Sequence, residues 1–197
     1  MIDLEKYNNL NRSLRIVGYV LRFINNCRNA ILGCDLKTSS FTTEELDIAK
    51  TKLIYIVQRE SFSDEIQALS SYSSVPKYSK LHKLDPFIDN DGIVRIKGRL
   101  QFSDLSYDSK HPIILPKGQF SKFLIQFQHT FLKHAGVNSV VPSLRTSFWV
   151  IGLRRMAKTV IRECISCRRH DSRPCCQLAA PLPDLPVNPD PLLQYQD

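Results

Sequence analysis

The strongest constraint in this 197-residue chain is one spacing. His129 and His134 have four residues between them, 29 residues follow, and then come Cys164 and Cys167 with two residues between them. Two imidazoles and two thiolates form a tetrahedral donor set suited to zinc, with arms of about 2.0–2.3 Å and all four positions filled. Taken singly the parts say less: a lone Cys often serves as a small buried apolar residue, and Cys-x2-Cys also suits a redox pair. Together, at this interval, they point to one structural Zn2+. A four-ligand site keeps no vacancy for water, so its role is architectural rather than hydrolytic. Such a site contributes on the order of 10 kcal/mol to folding, which is decisive for a helical unit with a thin core.

The flanking sequence must deliver these ligands. Phe120, Phe123, Leu124, Phe127 and Phe131 recur at three- and four-residue intervals and predict a helix with that stripe turned inward. A spacing of five would place His129 and His134 on different faces of one continuous helix. The chain must therefore bend back before Gly136. A short helix is expected at Ser143–Ser147, after Pro142, and another over Leu153–Glu163. In the latter, Leu153, Ala157 and Val160 make an inward stripe that continues into Cys164. Its other side carries Arg154, Arg155, Lys158 and Arg162, followed by Arg168 and Arg169. Cys175 and Cys176 are adjacent and lie beyond Pro174, outside the ligand interval; Cys27 and Cys34 are assigned to packing or to no role. His82, His111 and His170 have no cysteine at metal-site spacing, and His170 is the one substitute ligand to consider.

Charge is informative because it is uneven. Twelve Lys and Arg lie between Lys110 and Arg173 against two acids, Glu163 and Asp171, so this segment holds about ten of the positive charges behind a chain total of +8. That imbalance predicts a polyanionic partner, nucleic acid before membrane; a plain solvated basic face is the competing explanation. The five arginines and one lysine of the last helix and its extension are the candidate contacts, made mainly to phosphate.

Upstream, Leu10, Leu14, Val17, Leu21 and Ile24 predict an amphipathic helix over residues 9–26. Thr42 and Glu45 form a capping box for a second helix reaching about Arg59, and a short third helix is expected over Ser63–Leu69. A Ser-rich loop follows at Tyr72–Ser79. The Asp91-Gly92 dipeptide between apolar runs signals a β-hairpin within residues 86–96, and His111–Pro116 reads as a further short strand. The expected class is α+β and mostly helical: a small antiparallel β-hairpin element, in a sheet of two or three strands, followed by a zinc-bound helical bundle. The expected divisions are a helical connector at 1–79, the β element at 80–118, the zinc-binding helical region at 119–173, and a proline-rich linker or truncated tail at 174–197, which holds six of eleven prolines.

These residues resemble a known family. His129, His134, Gly136, Leu144-Arg145, Phe148-Trp149 and Cys164-x2-Cys167 look like the zinc-binding domain of retroelement integrases. The flanks resemble the BEL/Pao class of retrotransposon Pol polyproteins: Leu53-Ile54, Val57 to Glu60, Phe62, Leu84 to Phe87, Asp91-Gly92, Gly98 to Leu100, and His111 to Pro116. The resemblance implies a connector from the RNase H region followed by the opening of an integrase. It implies a helical bundle that helps bind element ends and assemble integrase subunits, while a following domain with an Asp, Asp, Glu triad performs strand transfer. The chain is expected to stop at Asp197, where that triad would begin, and to have no catalysis of its own.

Three functions compete. The first is a zinc-stapled DNA-binding module of an integrase. The second is a zinc-stabilised self-association module, such as a retroelement fragment captured by a host would be, in which Phe148 and Trp149 serve as contacts if exposed and as core if they cap the bundle. The third is an enzyme, for which Asp85, Asp89 and Asp91 would be the carboxylates; their place at a turn explains them without catalysis. No apolar run approaches the ~18 residues of a membrane span, and the first residues lack a signal-peptide plan. The expected location is intracellular, in nucleus or cytoplasm.

Overall fold

A computed structural model describes residues 9–71, 75–98 and 103–172. The expected tail at 174–197, Cys175 and Cys176, the Tyr72–Ser74 part of the expected loop, and Arg99-Leu100 lie outside the described residues. The architecture is α+β and mostly helical, as expected.

Helix α1 (Leu10–Leu32) starts at Asn9, whose side chain accepts the Arg12 N–H at 2.8 Å, and ends at Gly33 in the left-handed region (φ 69°). It outruns the expected end at residue 26 because its asparagines do not break it. Asn26 instead exchanges two 3.0 Å hydrogen bonds with the Lys37 backbone, and Asn29 donates to the Asp35 carbonyl. Polar side chains that often terminate helices here hold the returning chain. Helix α2 (Thr43–Ser61) begins with the anticipated capping box: Thr42 accepts the Glu45 N–H at 3.2 Å and Glu45 accepts the Thr42 N–H at 3.1 Å. Glu45 also pairs with Arg22, tying α2 to α1. Helix α3 (Ser63–Ser70) follows directly.

Strands β1 (Pro86–Ile88) and β2 (Val94–Ile96) form the expected antiparallel hairpin, with Gly92 at φ 77° in the turn. Asp89 accepts the N–H groups of Asp91 and Ile93 and pairs with buried Arg95. That accounts for Asp89 structurally. After the short helix α4 (Tyr107–Lys110), strand β3 (Ile113–Leu115) pairs antiparallel with β2. The sheet has a fourth strand that the two-or-three-strand expectation missed: β4 (Phe148–Val150) runs parallel to β3, giving the order β1-β2-β3-β4. Three residues are too few to display strand alternation. Parallel strands need a long crossover, and here it is helical: α5 (Gln119–Phe131) and α6 (Val137–Arg145). Helix α7 (Leu153–Glu163) matches its expected span, and α8 (Ile165–Asp171) is the last element among the described residues.

Helix α6 corrects the expectation of a helix beginning after Pro142, because it passes through that proline. Val140, Val141 and Leu144 are buried while Pro142 and Asn138 are exposed. Water on that side can replace the bond a proline cannot donate to the Asn138 carbonyl.

One apolar core joins α1 and α2 to the sheet and to α5, α6 and α7, running from Leu10 to Val160. A smaller cluster under α3 contains Phe62, Ile66, Leu81, Val94 and Ile114. Between them sits Gln58 of α2, 1% exposed. Its side-chain amide donates to the carbonyls of Val94 (2.9 Å) and Ile114 (2.6 Å), and its oxygen accepts the Val94 N–H at 2.8 Å. One side chain thus clamps β2 and β3 to α2. Gln58→Leu strands three buried backbone groups at roughly 1–3 kcal/mol each. The urea midpoint should fall by an amount equivalent to about 3–5 kcal/mol with an unchanged slope; a loss below about 1 kcal/mol would contradict the clamp. No helix among the described residues is long and apolar enough to cross a membrane.

Candidate metal centre

Helix α5 carries the first ligand. His129 is 1% exposed, on a buried face with Phe120, Phe123, Leu124 and Ile125. This differs from the expected all-phenylalanine stripe in the last turns. Phe127 and Phe131 face outward and stack on each other with centroids 6.3 Å apart. The inward positions there go to Ile125 and His129. The His129 Nδ1 lies 2.9 Å from the Ala135 carbonyl, so Nδ1 carries the proton and donates. Its Nε2 is left with a free lone pair pointing the other way, the usual outer-shell arrangement for a metal-binding imidazole.

The bend required by the five-residue spacing is made by two consecutive non-glycine residues in the left-handed region, Lys133 (φ 55°) and His134 (φ 64°). The His134 N–H closes back on the His129 carbonyl at 2.8 Å. Each such residue costs about 1–2 kcal/mol, a strain that persists only where the closed site offsets it. The result is that His134 Nδ1 arrives 3.2 Å from His129 Nε2.

The cysteines arrive from the α7–α8 junction. Cys164 does not extend the α7 stripe as a helical residue. The helix stops at Glu163, and Cys164 is extended (ψ 119°) in the N-cap position of α8, with Cys167 in the first turn of α8. The Cys164 sulfur lies 3.3 Å from His134 Nδ1; the Cys167 sulfur lies 3.3 Å from His129 Nε2 and 3.9 Å from His134 Nδ1. All four donor atoms fall within 4.8 Å of one another. A tetrahedron with zinc arms of about 2.0–2.3 Å has edges of about 3.3–3.8 Å. The 3.2 and 3.3 Å edges match it and the 3.9 Å edge is slightly longer, so the donor set fits one zinc ion in chemistry and, with a small closing movement, in size.

Electrostatics favours the same occupant. The Cys167 backbone N–H chiefly holds the Cys164 thiol below its ordinary range. The Cys167 thiol is pushed up, first by burial and then by the adjacent Cys164 sulfur. Both sulfurs become thiolates together when a divalent cation neutralises them. Among the described residues this is the one group of His, Cys and acidic side chains arranged to hold a metal. His170 is not part of it: it is exposed and contacts Asp171. His82 and His111 approach the Val75 and Ile96 carbonyls respectively, and Cys27 and Cys34 are exposed rather than packed.

The same helices present the cationic candidates. Leu153, Met156, Ala157 and Val160 of α7 are buried, while Arg154, Arg155, Lys158 and Arg162 are exposed. At 100° per residue these four share an arc of about 100°. Arg168 and Arg169 are exposed on α8. Phe148 belongs to the core at 8% exposure, whereas Trp149, on the other face of β4, is half-buried. Gln58 and the fourth strand are what sequence reasoning overlooked.

Residues 119–173 match the family model of the integrase zinc binding domain. No curated protein and no solved structure matches the chain.

Proposed function

We propose that this chain is a zinc-stapled DNA-binding module of a retroelement integrase of the BEL/Pao type, with His129, His134, Cys164 and Cys167 as the ligands. The convergence of those four side chains on one tetrahedron, inside the segment that matches the integrase zinc binding domain, carries the reading. The bound ion supplies a cross-link between the α5 end and the α7–α8 junction. The protein's own residues do the rest. His129 is oriented by Ala135, the left-handed pair at Lys133 and His134 turns the chain, and α7 buries one face to hold Arg154, Arg155, Lys158 and Arg162 outward, with Arg168 and Arg169 beside them. With all four zinc positions filled, the centre binds and positions and does not hydrolyse.

The test is salt dependence on duplex DNA with the zinc-loaded chain. Neutralising about five phosphates should give a log–log slope near −4 to −5. Binding that ignores salt would reject the reading.

Self-association, the alternative, gains one observation. Val20, Phe23, Ile24 and Ile31 form an exposed apolar stripe along α1, with Phe23 at 69% and Ile31 at 85% exposure. The stripe is centred near exposed Cys27, so two copies crossing there would match like with like, as a two-fold contact requires. Sedimentation should show a dimer at on the order of 100 μM that Phe23→Glu dissociates. A monomer at that concentration would exclude it.

A further inference from the structure

The side of the molecule beneath β4 holds a second feature that the zinc site does not use. A groove of about 480 Å³ opens between β4, the start of α7 and the segment before the hairpin. Its lining includes Trp149 together with Lys80, Arg145, Arg154 and Arg155, and holds no carboxylate. The four cations are exposed. The Arg145 guanidinium carbon sits over the Trp149 ring, 5.4 Å from its centroid, so one indole face already carries a planar cation and a base would stack on the other face or on the guanidinium itself. The volume falls in the ~300–1,000 Å³ range of small-ligand sites.

Phosphate contact alone would need only the cations. A half-exposed indole among them adds a platform on which any base can stack, and an arginine plane can stack a base as well. A base inside a duplex keeps both faces covered by its neighbours and cannot use that platform. We propose that this groove seats one unpaired nucleotide of a DNA strand, its base on Trp149 and its phosphate among Lys80, Arg154 and Arg155. This rests on the DNA-binding reading above and adds to it a strand-end or single-stranded specificity that the α7 ridge, which contacts phosphates, does not supply.

Trp149 is the one tryptophan in the chain, so its emission reports on this groove alone. The zinc-loaded full chain is titrated with a short oligothymidylate, an abasic strand of equal length, and a duplex, with binding followed separately by anisotropy of labelled strands. The oligothymidylate should quench Trp149, while the abasic strand, with the same phosphates, binds and leaves emission nearly unchanged. Trp149→Leu should weaken oligothymidylate binding about tenfold, leave duplex binding unchanged and retain one zinc per chain, and Trp149→Phe should restore the lost affinity. Equal quenching by the abasic strand overturns base stacking in the groove. So does a Trp149→Leu variant that binds oligothymidylate as tightly as the parent, or that loses both ligands equally. If salt-dependent duplex binding persists in those cases, the DNA-binding function stands and the nucleotide site alone falls; if no strand binds at all, both fall.

Discussion

Substituting Ser for Cys167, or removing the metal with a strong chelator, should melt α8 outright and lower the melting temperature of the whole chain by about 10–20 °C. Helix α8 has seven residues and none is buried. A helix that short has no stability of its own, and its main tertiary neighbour is α7. The metal is therefore what anchors it. A closed zinc site is worth on the order of 10 kcal/mol, comparable to the entire net stability of an ordinary domain. The effect stops short of global unfolding because α5, α6 and α7 share a core with α1, α2 and the sheet. Hydrogen exchange should show this division, with protection lost across residues 132–136 and 164–171 and kept in Leu53, Ile114 and Ile125. Retention of α8 protection and of the melting point after chelation would refute a metal-dependent fold.

Acid acts in the same direction. Ligand thiols and imidazoles must be deprotonated to hold the ion, so the metal-free state binds more protons than the loaded one. Stability linked to zinc is then present at high pH and lost as pH falls. A zinc-release curve that was flat or inverted with pH would contradict this sign.

Local signals were the readable ones. The Thr42–Glu45 box, the Asp91-Gly92 turn and the Leu153–Glu163 period each encode their own geometry within a few residues, and each element appears where those signals place it. The two His and two Cys also come together, because a five-residue His spacing has few ways to close on a Cys pair. What stayed hidden depends on partners distant in the chain. Strand β4 exists because β3 accepts it across a helical crossover. Gln58 reads as an ordinary helix residue until two strands present their carbonyls to it. Phe127 and Phe131 satisfy the helical period, yet the inward positions of that turn belong to Ile125 and His129. Sequence period identifies a face; it cannot say how far the helix is rotated against its neighbours.

Reversing Arg155, Lys158 and Arg162 together to Glu should reduce duplex affinity at least about 100-fold at ~0.1 M salt and bring the salt slope up toward −2. Zinc content should stay at one per chain, since all three side chains are exposed and none is a ligand. The stability outcome is what makes the triple diagnostic. Helix α7 has no acidic residue in its first turn, and Arg154 and Arg155 stand there instead. Cations at a helix N-terminus oppose its dipole, and Arg154–Lys158 and Lys158–Arg162 are like-charge pairs four residues apart, each unfavourable by about 0.2–0.5 kcal/mol. Glu at 155 complements the dipole and Glu at 158 attracts Arg154, while the 158–162 pair stays like-charged and Glu at 162 replaces a favourable cation in the last turn, so the gains and losses nearly cancel and the variant should fold about as well as the parent while losing DNA. A matched reversal of Arg12, Arg15 and Arg28, exposed on α1, makes the same change in net charge. It should cost far less affinity. If the two triples weaken binding equally, the effect is one of overall charge and the α7 ridge has no special part in it. If only the α7 triple does, then this helix carries an arrangement of cations unfavourable to its own stability, and contact with phosphate is the gain that offsets it.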